Sequence, residues 1–494
     1  MKRQTSLLAF LVVVLTALAP GLFAQGAGSD DKSVELSSVV RKNLAPVSKD
    51  VLKVKMPRAT EATLSNGLTV LVIEDHRLPL VSVQLNISAA GPLFEPANLP
   101  GLASLTAAML REGTKTRTSA QIAEDTAQTG ATVGASSGFG SSATVINASG
   151  LSDNFDQWFG LATDLLMNPT FPVDELNRLK ARMKVGLTQQ RSSPNFLVSE
   201  RFNRAVYGDH PGAVISATVA SIDAMTPELL KKWHDEKYTP QNAILGITGD
   251  VKTAELVQKL EKSLAAWKKT DLKEVLPPNA KALTGKKVYL VDRPGSVQTN
   301  LMMGNIGIDR RDPDFIPLTV MNHVLGGGGA ARLFVNLREE KGYTYGAYSS
   351  FSALKYPGPW RAYADVRTEV TEGAMSEFIK EIQRLGSQPV PTSELEDAKR
   401  ALVASFALGL EDSATALNYA IISKIYGYPP DYWDTYPAKI MALNAVDIQR
   451  VSKKYLNADA MQIVAVGDAS KIKAVLEKYG PVEIWKADGS KGNQ

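Results

Sequence analysis

The 494-residue chain has no cysteine and only four histidines, His76, His210, His234 and His323. The first absence excludes disulfides and thiolate metal sites, and it is compatible with an oxidising compartment without demanding one. The second leaves no two histidines close enough in sequence to share one helical face, so a helical pair of histidine ligands is excluded. Each histidine reads most simply as a surface or satisfied polar group. Neither sign of charge dominates: 55 Lys and Arg stand against 51 Asp and Glu, which gives no case for a nucleic-acid partner. A long apolar run is also missing. The nearest approach, residues 7–18 behind Met1-Lys2-Arg3, is too short to cross a bilayer comfortably. With Pro20-Gly21-Leu22-Phe23-Ala24 after it, this run reads as a signal peptide over residues 1–24. The expectation is an exported, periplasmic or extracellular protein with no stable membrane span after processing. An uncleaved anchor is the alternative.

What is present is ordinary globular composition, 44% hydrophobic and 21% charged. About 470 mature residues exceed a single core, so two or more domains are expected. Residues 25–57 are polar and read as a tail, with order expected near Ala62. LSNGLTVLVIED turns at Asn66-Gly67 into a strand, and LVSVQLNIS alternates as a second. GLASLTAAMLREGT, residues 101–114, is helical, with Leu102, Leu105 and Met109 on one side. A capped helix from about Ser119 and glycine- and serine-rich strands to about Gly150 come next, and three further helical runs lead to the strand NAILGITGD. Residues 268–286, with Pro277-Pro278 and several lysines, read as a linker, after which strands resume at KVYLVD and TNLMMGNIG.

The second half repeats the first. Phe171-Pro172-Val173-Asp174-Glu175-Leu176 corresponds to Val390-Pro391-Thr392-Ser393-Glu394-Leu395, an offset of 219 residues. Tyr238-Thr239-Pro240-Gln241-Asn242 before AILGITGDV corresponds to Tyr455-Leu456-Asn457-Ala458-Asp459 before MQIVAVGDA, an offset of 217. Nearly equal offsets indicate a tandem duplication of one α+β unit, with domains at 58–267 and 287–485.

One stretch carries unusual chemistry. Gly326, Gly327, Gly328 and Gly329 give the backbone access to positive φ and to close approach, and they open into a helical run, AARLFVNLREEKG, that Gly342 closes. The GK[ST] ending of a phosphate-binding loop is absent. Arg338 lies in the last turn, and Tyr345 follows where YTYGAYSSF begins a strand. Together they offer a guanidinium fork and a hydroxyl donor to an oxygen that gains charge, although such a pair taken alone is more often an ordinary surface or salt-bridged contact.

These residues resemble the insulinase and pitrilysin family of inverted zinc metallopeptidases, and are similar to its two-domain, processing-peptidase-like subunits. The resemblance runs from Ala62 to about Lys478. It rests on NGLTVLVIED with the following strand, GLASLTAAMLREGT, YGDHPGAV at residues 207–214, the TGD and VGD strand ends, and the GGGG to REEKGYTY stretch. It implies two homologous insulinase-type α+β domains in tandem, half of a clamshell. In the active chains a helix bears HxxEH, two zinc-binding histidines and a general-base glutamate, with a further glutamate about 75 residues on. Here Ser104 and Ala108 fall at the histidine positions, Ala107 at the base, and KARMKVGL, residues 180–187, contains no acid. Ser104 also lacks a GxSxG setting. The Arg338 and Tyr345 spacing, by contrast, matches the family's distal pair.

The resemblance therefore implies a chain with no metal of its own, inert alone. An HxxEH-bearing partner would supply zinc, this chain would supply Arg338 and Tyr345 to hold the scissile carbonyl of a peptide, and the Gly326 to Gly329 loop would lie near substrate or partner. The alternatives are a catalytically inert structural or peptide-binding member of the same fold, and an autonomous peptidase with an unfamiliar metal site.

Overall fold

The computed structural model describes residues 53–270, 276–280 and 283–492. The expected signal peptide, most of the polar tail and parts of the expected linker lie outside the described residues. Among the described residues no helix is long and apolar enough to cross a membrane.

Two six-stranded sheets organise the chain. The first is built from β1 (Thr60–Thr63), β2 (Thr69–Glu74), β3 (Leu80–Ser88), β4 (Thr132–Ser136), β5 (Ala143–Leu151) and β6 (Ala243–Gly249), in the order β1-β2-β6-β3-β5-β4. The second uses β7 (Lys287–Asp292), β8 (Gln298–Ile306), β9 (Thr344–Ala353), β10 (Pro357–Arg367), β11 (Gln462–Gly467) and β12 (Val482–Lys486), in the order β12-β7-β11-β8-β10-β9. Five strands correspond in position and direction. In each sheet the first long strand runs parallel to the last, β2 with β6 and β7 with β11, and the rest pair antiparallel. This is the duplicated α+β unit that the sequence offsets predict. The sixth strands differ: β1 is antiparallel to β2, whereas β12 is parallel to β7.

Side-chain alternation divides each sheet into two buried faces. One face of the first sheet, with Val70, Val72, Leu245 and Ile247, packs on helices of its own half. The other face, with Leu71 and Ile73, packs on Leu417 and Ile421 of the helix Ser413–Tyr426, which belongs to the second half. The second sheet mirrors this. Val288, Leu290, Ile463 and Ala465 face helices of their own half, while Tyr289, Val291, Val464 and Val466 meet Leu197, Val198 and Phe202 of the helix Pro194–Tyr207 from the first half. The central strands β6 and β11 are consequently buried almost throughout and read as continuous apolar runs.

One sequence expectation changes. The tail does not extend to residue 57 as an exposed segment, because Met56 is buried with the second-half cluster and its N–H donates to Asp434 Oδ1 at 3.0 Å. The helix Thr253–Ser263 follows β6 and buries Leu256 and Leu260 within the first half.

The exchange of helices requires a gap in β6. A Cβ on Gly246 would lie 2.7 Å from Ile421 Cδ1, closer than real contacts permit, and a tight 3.1 Å from Leu417 Cδ2. Gly246→Ala should lower stability by about 1–3 kcal/mol through overpacking. Adding Leu417→Ala should cost less in that background than in the wild type, because it makes room for the methyl group. Denaturant midpoints of the four proteins measure the coupling, and strict additivity would show that the helix does not seat on Gly246.

Candidate functional site

Arg338 is presented by an irregular helix. The short helix Arg332–Phe334 passes directly into π-type turns, Val335–Glu340. Lys341 N–H donates to Asn336 O five residues back at 3.0 Å, and Tyr343 N–H to Leu337 O six residues back at 2.8 Å. Gly342, at φ +63°, allows the reversal into β9. Widened turns of this kind are rare and mark functional positions. Two polar anchors hold this one: the buried Arg332 fork donates to Glu394 at 2.7 and 2.8 Å, and Asn336 Nδ2 donates to Glu377 at 2.8 Å and Glu381 at 3.1 Å. Leu333 and Leu337 are fully buried between them.

The structure brings the two predicted residues together. The Arg338 guanidinium lies 4.6 Å from the Tyr345 ring centroid and 4.8 Å from that of Phe334, and its Nε is 3.3 Å from Glu339. A guanidinium held against ring faces leaves the in-plane donors that Glu339 does not take turned outward. Tyr345 itself is 85% exposed. It stands on the rim of a groove of about 710 Å³ over the β8, β10 and β9 surface, with Tyr363, Arg361 and Asp365 on its floor and Asn195 and Ser199 of the helix Pro194–Tyr207 as its wall.

The glycine run meets one half of its expectation, close approach, and not the other. None of Gly326 to Gly329 has a positive φ among the glycines that do. Gly326 ends the helix Phe315–Gly326 and is needed for close approach, since a Cβ there would lie 2.3 Å from the Ser349 amide nitrogen in β9. A Cβ on Gly327 would lie 2.7 Å from His323 Cα, one on Gly328 meets open space, and one on Gly329 would touch the Phe334 ring at 3.8 Å. The loop thus abuts the ring on which Arg338 stacks.

In the first half, Ser104, Ala107 and Ala108 lie on the helix Leu102–Met109. Ser104 Oγ donates to the Ser137 carbonyl, Ala107 is fully buried and Ala108 half-buried. In the segment without an acid, Lys180 Nζ donates to the carbonyls of Asp223 and Met225 at 3.0 Å each, and Lys184 pairs with Asp223. Methyl groups, a committed hydroxyl and ammonium groups do not fit a zinc ion. Among the described residues no group of three or more histidines and carboxylates is placed to hold a metal. Three of the four histidines have partners of their own. His76 meets Asp250 at 2.7 Å, His210 stacks on Tyr207 and bonds Pro278 O at 2.7 Å, and His234 bonds Leu166 O at 2.7 Å. Burial pulls His323, beside Gly327, below its ordinary value.

Known proteins bear on this geometry. Residues 69–216 match the sequence model of the insulinase family, peptidase family M16, and residues 224–402 match that of the peptidase M16 inactive domain, together about two thirds of the chain. An uncharacterized zinc protease of Rickettsia bellii is 27% identical over 81% of this chain and 96% of its own length. A second uncharacterized zinc protease, from Bacillus subtilis, is 25% identical over 79% and 93%. A crystal structure of a peptidase M16 inactive domain from Pseudomonas fluorescens superposes with a TM-score of 0.77 at 29% identity, covering 83% of this chain and 98% of that one.

Sequence reasoning missed the residue that caps the first-half helix. Glu95 accepts from the N–H groups of Gly101 at 2.9 Å and Ala103 at 2.6 Å. Burial pushes its carboxyl up to about 7, against the pull of those two amides. A carboxyl raised in the folded state contributes stability that is full below its ordinary value and is lost as pH rises through about 7. Relative to Glu95→Gln, which does not titrate, the wild type should therefore lose on the order of 1–3 kcal/mol between pH 5 and pH 8. Chemical denaturation of both proteins at the two pH values tests this, and a gap that widens in the wild type's favour would mean that the amide bonds outweigh burial.

Proposed function

The chain belongs to the insulinase family of peptidases, M16, and on that premise we propose that it is the non-zinc subunit of an exported heterodimeric metallopeptidase. A homologous HxxEH-bearing subunit would bring the zinc ion and the general base. This chain supplies Arg338 and Tyr345 to hold the scissile carbonyl of a peptide, and it has no metal of its own.

The observation that carries this reading is the 4.6 Å approach of Arg338 to an exposed Tyr345 at the rim of a groove, in a chain whose first-half motif helix offers only Ser104, Ala107 and Ala108. Donors fixed in advance stabilise the charge that develops on a carbonyl oxygen without reorganising during the reaction. Arg332 and Asn336 provide that fixity. The groove also favours a second reading, a catalytically inert member that binds peptides, because Tyr363, Asn195 and Ser199 supply aromatic and polar contacts independent of any hydrolysis.

Peptide hydrolysis separates the two. The mature chain alone, with added Zn²⁺, should be silent, and its mixture with an HxxEH homologue should show chelator-sensitive activity. Arg338→Ala or Tyr345→Phe should then lower turnover by about 10²-fold with co-purification unchanged, the size of losing one oxyanion donor. Peptide binding without turnover in any mixture would favour the inert reading, and equal rates in both variants would remove the carbonyl-holding role.

A further inference from the structure

A second cavity, of about 620 Å³, lies on the other flank of the helix Pro194–Tyr207, where the first half meets β12. Its walls include Arg191, Arg201 and Arg204 from the first half and Trp485 and Lys486 from the second. Arg201 is the unusual member. Its guanidinium carbon lies 4.0 Å from the Trp485 ring centroid and 5.0 Å from that of Tyr289, and burial pulls it below its ordinary value. Its Nε is shut away from solvent with no acceptor among the described residues, as is Trp485 Nε1.

Among the described residues Glu200, Asp488 and Glu483 have pairings of their own, and none hydrogen-bonds Arg201, although Glu200 and Glu483 act on it through space. Glu200 takes the fork of Arg191, with Nη2 to Oε1 at 2.6 Å. Asp488 accepts from the Ser490 N–H at 2.8 Å and hydroxyl at 2.6 Å. Glu483 lies 3.7 Å from Lys491. A desolvated guanidinium is ordinarily matched by an anion, and this one lines an open cavity with its outer fork unclaimed among the described residues. The stack on Trp485 and Tyr289 orients the fork, which suits a planar carboxylate better than a point charge would.

We propose that this cavity is a carboxylate-binding site, with Arg201 as its fork and the Trp485 and Tyr289 rings as its clamp, and that it takes a peptide through an acidic side chain or a free C-terminal carboxylate. Ser216 and Thr218 on the opposite wall offer hydroxyls to the rest of such a ligand. The site is separate from Arg338 and Tyr345, neither of which lines it, so its occupation does not depend on the hydrolytic reading.

Binding to the full mature chain tests it, by calorimetry with four acetylated tetrapeptides that carry Glu or Gln and end in a free carboxylate or an amide. The Glu amide binding above the doubly neutral peptide assigns the side chain as the anchor. The Gln peptide with a free end doing so assigns the chain terminus. Arg201→Met should weaken the preferred peptide by about 10-fold or more, and Arg201→Lys, which keeps the charge and loses the fork, by a similar factor. Equal affinity for all four peptides, no binding of any, or unchanged affinity in a folded Arg201→Lys protein would each overturn the proposal.

Discussion

Each sheet of this protein is closed by a helix that belongs to the opposite half. A β-sheet with apolar side chains on both faces cannot stand with one of them wet. The helix Pro194–Tyr207 lies on Val464 and Val466 of the second sheet, and the helix Ser413–Tyr426 lies on Leu71 and Ile73 of the first. Burying such side chains contributes about 25 cal/mol per Å², and here that contribution is shared between halves. The gap at Gly246 and the docking of Met56 on the second-half cluster are local consequences of the same exchange.

The exchange also defines the functional surfaces. The helix Pro194–Tyr207 is narrower than the sheet it crosses, so an uncovered trough is left on each flank. One trough is bounded by Tyr345 and the other by Arg201. The chemistry at the two sites therefore comes from both halves, with Asn195, Ser199, Arg201 and Arg204 contributed by a helix of the domain whose own motif positions are occupied by Ser104, Ala107 and Ala108.

The duplication and the long strands were legible in the sequence because both are local patterns. Residues such as Leu102, Leu105 and Met109 repeat at helical spacing, and β3 alternates at strand spacing. The pairing of Arg338 with Tyr345 was legible only through resemblance, and the geometry brought the two side chains together. The crossing helices were not legible as such. Their apolar faces have the spacing of any amphipathic helix, and nothing in that spacing names the sheet they cover. The π-type turns around Arg338 escaped for another reason: they are held by Glu394, Glu377 and Glu381, residues 41 to 62 positions away. The glycine run was half legible: of the two freedoms it offers, close approach of Gly326 to β9, and not left-handed backbone, is what glycine provides there. Glu95 was invisible as a cap since it precedes its helix by several residues and arrives through a bend at Pro92–Phe94.

The two crossing helices amount to a domain swap completed within one polypeptide. In a conventional two-domain protein the connecting segment is a hinge, and cutting it releases two bodies. Here a cut between β6 and β7 would leave two fragments that each lack one wall, and each would find that wall only in the other. Bending between the halves would have to peel a helix from an apolar face, so the chain moves as one plate. In the proposed heterodimer, any opening and closing around a peptide would then take place between the two chains.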